Sequence, residues 1–388
     1  MLREAAIGIY LTIFRVVFLL FSMFPIRNKV TFVSSFDDNC LFILEEIKQQ
    51  NIPYKTVFLK TNKSKANIKD DGDTIVFNYG TLNITHWLAS IYHLATSKVI
   101  IIDNYFAFLS AASFKPDVKC VQVWHAAGAI KQFGLKDPSN INRSNRANKR
   151  FLQVYKQFHY ATVGSEIMAQ IYKESFGLEE RNILKTGVPR TDFFFDEAAK
   201  SKVLGTLEHE FPDLPGKKTI LYAPTYREDQ LYTDTLSLDI SLLHEELSSK
   251  GYVLLLKLHP AVTVSQSFER EYPGFLYNLS RYHDINELLL ITDLLITDYS
   301  SIPFEYSLLE KPMIFYPYDL EEYKKERGFW EDYEKSMPGP VVYSTESILE
   351  EVLRNTFDQE AVGRFKRKWN EYSDGASSKK LVEFLFKK

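Results

Sequence analysis

A chain of 388 residues, 45% of them hydrophobic, is long enough for two α/β domains on a prior of roughly 150 residues each. Its formal net charge of −3 points away from nucleic acid as a partner. The two cysteines, Cys40 and Cys120, form no Cys-x-x-Cys pair, which argues against a disulfide framework or a structural zinc site and fits a reducing compartment.

The first element is the apolar stretch "AAIGIYLTIFRVVFLLFSMFPI" (5 to 26), broken by Gly8, Thr12, Arg15 and Ser22. Their spacing puts these four on one narrow stripe of a helix. No small-residue cleavage site precedes Arg27, Lys29 and the strand-like "KVTFVSSF", so a signal peptide is not expected. The stretch is about long enough to span a bilayer, but an arginine at its middle is costly there. A helix lying in or against the membrane interface is the expectation, ahead of a true span or a helix packed on the protein core. Either membrane reading leaves the body of the protein on the cytoplasmic side, given Arg27 and Lys29 just after the segment.

From residue 29 to about 190, strand-like runs recur at helix-sized intervals: "VTFVSS", "KTVFLK", "TIVFNY", "KVIIID", "VKCVQVW" and "YATVGS". This spacing predicts a parallel sheet with helices on its faces. The polar stretch "FPDLPGKK" (211 to 218) is the expected hinge, after which "TILYAP", "YVLLLKLHP", "DLLITDYSS", "PMIFYP" and "PVVYS" restart the series. The predicted layout is a membrane-associating segment over 1–28, a Rossmann-like domain over 29–210, a second over 211–357, and a C-terminal helix over 358–388 free to pack on either. No Gly-x-Gly-x-x-Gly and no Walker-type loop occurs, which disfavours nicotinamide and P-loop nucleotide sites. "DDGD" (70 to 73) reads as a solvated bend, so neither a metal nor a cofactor is expected.

In open sheets of this kind ligands bind beyond the carboxyl ends of the strands. There, 121–124 delivers His125 into the small residues 126–129, followed by Lys131; a histidine so placed takes a proton from a hydroxyl at neutral pH. "LLLKLHP" ends on Lys257, His259 and Pro260, and "LYAPTYRED" offers Thr225, Tyr226 and Arg227, whose guanidinium grips phosphate in bidentate fashion. "LLITDYSSIPFEYSLLEKPMIFYP" (294 to 317) runs from an apolar strand into Asp298, Tyr299, Ser300 and Ser301. A helix starting there takes Ser300 or Ser301 as cap, Pro303 in its first turn and Glu305 close behind, and its free amides and dipole favour an anion. Taken singly, each has an ordinary reading, as a structural histidine, a solvated lysine or a capped helix. Together the four point to phosphate chemistry. The acid-free stretch "NRSNRANKRFLQVYK" (142 to 156) suits anionic lipid head groups or a lipid-linked pyrophosphate, and equally a solvated helix face.

With these residues assembled, the chain resembles the CDP-glycerol glycerophosphotransferases that build wall teichoic acid in Gram-positive bacteria. The resemblance rests on "WHAAGAIKQFG", "LYAPTYRED", "LKLHP" and "ITDYSSIPFEYSLLEKPMIFY", in that order, and covers most of the chain after the apolar segment. It implies a GT-B architecture, two facing Rossmann-like domains with the nucleotide on the C-terminal one and the acceptor on the N-terminal one, peripheral on the cytoplasmic face of the cell membrane. It implies that His125 is the general base and that His259 meets the donor phosphates. Thr225, Arg227, Lys257, Asp298, Ser300, Ser301 and Glu305 fall on the donor side, and Trp124, Gly128 and Lys131 on the acceptor side. Many polymerising members carry Trp-His-Gly-Thr-Pro where this chain has Trp124-His125-Ala126-Ala127-Gly128. That variant, and the compact length without an appended N-terminal domain, look like the primases. The implied reaction moves glycerol phosphate from CDP-glycerol to undecaprenyl-diphosphate-linked N-acetylmannosaminyl-N-acetylglucosamine and releases CMP. A second-unit transferase or polymerase is the alternative within the family, and a GT-B nucleotide-sugar glycosyltransferase or epimerase outside it. The implied partners are these two substrates, the lipid surface and other teichoic acid enzymes.

Overall fold

The computed structural model describes residues 2–80, 83–227, 232–233, 236–259, 262–264 and 267–387. The chain forms two compact units: Met1–Ala127, Gln132–Asp192 and Asn370–Lys388 make the first, and Gly128–Lys131 with Phe193–Trp369 make the second.

The first unit holds the helices α1 (Leu2–Phe21), α2 (Asp38–Gln49), α3 (Ile84–Thr96), α4 (Asn145–Tyr155) and α5 (Glu166–Phe176). Its strands are β1 (Arg27–Ser34), β2 (Lys55–Lys60), β3 (Thr74–Asn78), β4 (Ser97–Ile102), β5 (Lys119–Gln122), β6 (Tyr160–Thr162) and β7 (Ile183–Leu184). They form a parallel sheet in the order β3-β2-β1-β4-β5-β6-β7. Continuous apolar runs suit such strands because both faces are covered. Phe32, Val99, Ile101 and Val121 share one core cluster with Ile43 and Ile47 of α2 and Leu381 and Val382 of the C-terminal helix. The strand order reverses between β1 and β4, the topological switch point beside which crevices open.

The α1 helix packs through buried Phe14 and Phe18: Phe14 lies 5.4 Å from Phe108 and Phe18 lies 5.8 Å from Phe114, ring centre to ring centre. Arg15 donates to the Ser110 carbonyl, and Arg150 of α4 grips Glu4 with both terminal nitrogens, at 3.0 and 3.1 Å. The outer face, with Ile9, Ile13, Val16, Leu19 and Leu20, is exposed. By length and composition its residues 3–21, of mean hydropathy 1.9, are sufficient to cross a membrane.

The second unit holds β8 (Lys218–Ala223), β9 (Tyr232–Thr233), β10 (Tyr252–Leu256), β11 (Thr263–Val264), β12 (Leu276–Asn278), β13 (Leu294–Thr297) and β14 (Met313–Phe315). Five of them form a parallel sheet ordered β12-β10-β8-β13-β14, and β9 pairs with β11. The order reverses here between β8 and β13. Ile220, Leu254, Leu256, Ile296 and Ile314 build its core.

The layout differs from the sequence reading in four places. The passage between units falls at 192/193 rather than 210/211: helix Glu197–Glu210 belongs to the second unit, buries Leu207, and leads to Phe211, whose ring lies 6.4 Å from that of Tyr282. The single C-terminal helix is two, Gln359–Trp369 in the second unit and Ser377–Phe386 in the first. "PVVYS" makes only an isolated bridge, Phe315 with Val341, because Pro340 has no N–H to donate. Finally, the short strands β7 and β12 carry too few residues to stand out as apolar runs.

Candidate active-site residues at the strand ends

In the first unit the chain leaves β5 through a strained turn. Trp124 has a φ of +52°, a left-handed conformation that costs a residue with a Cβ about 1–2 kcal/mol. Side chains on either side hold it: Gln122 Oε1 accepts from Trp124 N at 2.9 Å, and Asn39 Nδ2 donates to the carbonyls of Val123 and Trp124 at 3.0 and 2.9 Å. The indole stacks 5.1 Å from Phe133.

His125 follows, half-buried, its Nδ1 3.1 Å from the Asp103 carbonyl. A carbonyl only accepts, so Nδ1 carries the hydrogen and Nε2 keeps the lone pair. Burial, reinforced by the positive charges of Arg190 and Lys63 and opposed by the bond to Asp103, lowers the pKa to about 4. The imidazole is therefore neutral at neutral pH, with Nε2 ready to accept a proton. The Asp103 side chain, at the end of β4, takes hydrogen bonds from Ser34 Oγ (2.6 Å), Phe36 N (2.9 Å), Asp37 N (3.1 Å) and Ser35 N. Burial pushes its carboxyl up and these bonds push it back.

In the second unit Asp298 ends β13 and is 1% exposed. Its Oδ1 accepts from Thr225 N at 2.7 Å and Tyr299 N at 2.6 Å, and its Oδ2 lies 3.0 Å from Arg227 Nη2. Arg227 is also buried, donates to Asp319 at 2.7 and 2.9 Å and to the Thr225 carbonyl at 2.9 Å, and lies 4.5 Å over the Tyr318 ring. Tyr299 completes the cluster, donating to Asp319 at 2.8 Å and stacking on Tyr323 at 3.9 Å. The Asp319 carboxyl is held below the usual range, because its bonds to Arg227 outweigh its burial.

The remaining predicted residues divide as follows. Lys257 donates to the carbonyls of Ser280 and Tyr282 at 3.0 and 2.9 Å. His259 is exposed and lies 4.6 Å from the Tyr226 ring, beside a cavity of about 30 Å³ that Thr225, Arg227 and Tyr318 also line. The Thr225 Oγ1 is buried there with no partner among the described residues. Ser300 Oγ accepts from Ile302 N, whereas Ser301 is the N-cap residue without a side-chain cap bond. The helix they open, Ile302–Tyr306, has five residues and buries Glu305, so the expected dipole is that of barely more than one turn.

Gly128 and Lys131 belong to the second unit, not with Trp124 and His125 in the first. A Cβ on Gly128 would lie 2.4 Å from Phe304, itself packed against Phe365 and Trp369. Lys131 pairs as an antiparallel bridge with Phe329 and points its ammonium at Tyr323, 5.8 Å away. Burial, opposed by Asp298 and aided by Arg327 and Arg227, lowers its pKa to about 8. Glu228, Asp229 and Pro260 lie outside the described residues. Among the described residues no group of three or more His, Cys, Asp or Glu is disposed to hold a metal ion.

Asn39, Phe36, Asp103, Asp319 and Tyr323 escaped the sequence reading. Only Asp103 carried a signal: it closes "KVIIID" as Asp298 closes "LLIT".

A family profile described as CDP-glycerol:poly(glycerophosphate) glycerophosphotransferase matches residues 16–387. The teichoic acid glycerol-phosphate primase of Bacillus subtilis (strain 168) is 39% identical over 360 residues, 92% of each chain. The teichoic acid poly(ribitol-phosphate) polymerase of Bacillus spizizenii is 34% identical over 96% of this chain but 58% of its own. Among solved structures, the wall teichoic acid polymerase TagF superposes over 99% of this chain and 95% of its own, with a TM-score of 0.80 at 23% identity, a likeness of fold.

Proposed function

The chain belongs to the CDP-glycerol:poly(glycerophosphate) glycerophosphotransferase family, and from that premise we propose that it is a priming enzyme, placing the first glycerol phosphate of wall teichoic acid on a lipid-linked disaccharide. It is an enzyme that transfers glycerol phosphate from CDP-glycerol. The observation that carries the priming reading is the match to a primase across 92% of both chains. The Ala126-Ala127 variant after His125 agrees with it. The acceptor in this reading is undecaprenyl-diphosphate-linked N-acetylmannosaminyl-N-acetylglucosamine.

His125 is the base. Its Nε2 takes the proton of an acceptor hydroxyl, the oxygen bonds to the β-phosphorus, and the bond from that phosphorus to the bridging oxygen breaks, so that CMP departs with that oxygen. Transfers of this kind depend on positioning and on charge stabilisation around the phosphates. In the second unit His259, Thr225, Ser300 and Ser301 are the donor contacts. Arg227, Asp298 and Lys257, given their internal partners, shape the loops that carry those contacts. Glu305, buried in the same short helix, supports them.

The two units are the Rossmann-like halves of a GT-B enzyme in this reading. The enzyme sits peripherally on the cytoplasmic face of the membrane. The exposed apolar face of α1 supports that placement, as do the neighbouring Arg146 and Arg150, which line a groove with Gly8 and Thr12. Further enzymes of teichoic acid synthesis are its expected company there.

The test is to incubate the protein with CDP-glycerol and the lipid-linked disaccharide and follow CMP release and product mass. A single added glycerol phosphate supports priming. A ladder of additions moves the enzyme to the polymerases, and no CMP with a competent acceptor removes the reading. Sedimentation with anionic vesicles, before and after Ile13→Glu and Val16→Glu, tests the placement: loss of binding in the double variant is expected, and undiminished binding would refute it.

A further inference from the structure

Phe36 is a large aromatic residue left 42% exposed on the loop between β1 and α2. Its ring lies 3.9 Å from the His125 imidazole at 16° to it, while Trp124 lies 4.4 Å away at 27°. Two rings stacked nearly parallel at such spacings occupy opposite faces, so the imidazole is sandwiched. Its Nδ1 edge is occupied by the Asp103 carbonyl. The same Asp103 holds the loop bearing Phe36, because its carboxylate binds the amides of Ser35, Phe36 and Asp37 and the Ser34 hydroxyl. The loop is fastened twice more: the Phe36 carbonyl accepts from Asp38 N at 2.9 Å, and Asp37, at a φ of +70°, binds Ser64 Oγ, Lys65 N and Ala66 N. An exposed ring on so constrained a loop has little to do with core packing.

We infer that Phe36, held in place by Asp103, is a positioning residue for His125: it clamps the imidazole plane and leaves Nε2 as the edge presented for proton transfer. This rests on His125 being the base proposed above. One consequence is electrostatic. By covering the imidazole face the ring adds to the burial that is the largest cause of the lowered pKa. This desolvation works against the attraction a π-face offers an imidazolium, in the same direction as Arg190 and Lys63. The carboxylates of the same region are each engaged, Asp103 and Asp37 by hydrogen bonds from the loop and its neighbours and Asp38 by Arg190 at 3.5 Å.

The test compares Phe36→Ala, Phe36→Tyr and wild type by two readouts: the pH dependence of kcat/KM, and the titration midpoint of His125 itself. The midpoint is followed by hydrogen–deuterium exchange at the imidazole C2 position and identified by its disappearance in His125→Ala. Phe36→Ala is expected to lower kcat about tenfold, the scale of one stacking contact, with CDP-glycerol affinity unchanged. It is also expected to raise the His125 midpoint by about one unit towards the free value near 6.5. Phe36→Tyr is expected to restore both. Asp103→Asn, which keeps the backbone carbonyl, is expected to act in the same direction as Phe36→Ala and more weakly. An unmoved midpoint in Phe36→Ala overturns the inference, whatever happens to the rate. A midpoint that moves while the pH–rate profile stays still leaves Phe36 as the clamp and overturns His125 as the base.

Discussion

Asp103 closes β4 in the first unit and Asp298 closes β13 in the second, and each strand stands at the reversal of its own sheet order. Each carboxylate is 1% exposed and each pins the loop after the neighbouring strand, 35–37 after β1 in one case and Thr225 after β8 in the other. Their surroundings diverge from there. Asp103 has hydroxyl and amide partners and stands behind a neutral histidine sandwiched by aromatic rings. Asp298 faces a guanidinium shared with Asp319 and enclosed by tyrosines. One architectural device thus serves two ends, a desolvated neutral histidine in the first unit and an ion-paired cluster in the second.

Four measurements would break or sharpen the contrast. The largest effect is expected from His125→Ala, which should lower kcat by about 10²- to 10⁴-fold with the CDP-glycerol dissociation constant unchanged by titration calorimetry. Equal rates in the two proteins would end the assignment of a base to the first unit. Next is Asp298→Ala, which leaves the buried Arg227 with one carboxylate in place of two and should cost about 3 kcal/mol in urea denaturation. A loss confined to activity would make Asp298 a ligand contact instead of a scaffold.

Gly128→Ala should follow, at about 1–3 kcal/mol for overpacking against Phe304, seen as a lowered melting temperature. Unchanged stability would show that the Phe304 stack yields. The smallest effect concerns acid. The folded-state pKa of His125, about 4, lies below the unfolded value, so the unfolded chain takes up the proton first. The stability this neutral group supplies is complete above about pH 6.5, the unfolded value, and falls progressively towards pH 4. His93, also lowered to about 4 by burial, adds to the same loss. The depressed Asp319 carboxyl instead gives way only below the ordinary aspartate range. The urea midpoint of His125→Asn should fall less steeply between about pH 6.5 and 4 than that of wild type. Parallel curves would mean that burial of His125 has little influence on its protonation.

The four polar clusters at strand ends were legible because a parallel strand covered on both faces reads as an unbroken apolar run, and whatever polar residue ends it stands out. His125, His259, Thr225 and Asp298 were found that way. The partners were not. Arg227 meets Asp319 across 92 positions and Phe36 meets Asp103 across 67, with no spacing to announce either pair. Gly128 and Lys131 read as neighbours of His125 because they follow it directly, yet they pack in the other unit.

The sequence by itself determined what is local: parallel strands separated by helices, the apolar N-terminal helix, the polar residues that close each strand, and the family to which those motifs point. Tertiary structure alone decided which of those polar groups are spent on one another. Arg227 and Lys257 look in the chain like free cations awaiting phosphate, and in the fold they are bound by carboxylates and carbonyls. His125 looks like an ordinary titrating histidine, and in the fold burial keeps it neutral while the Asp103 carbonyl fixes the hydrogen on Nδ1 and two stacked rings cover its faces. The physical reason is that burial and pairing, which set charge and tautomer, come from residues distant along the chain.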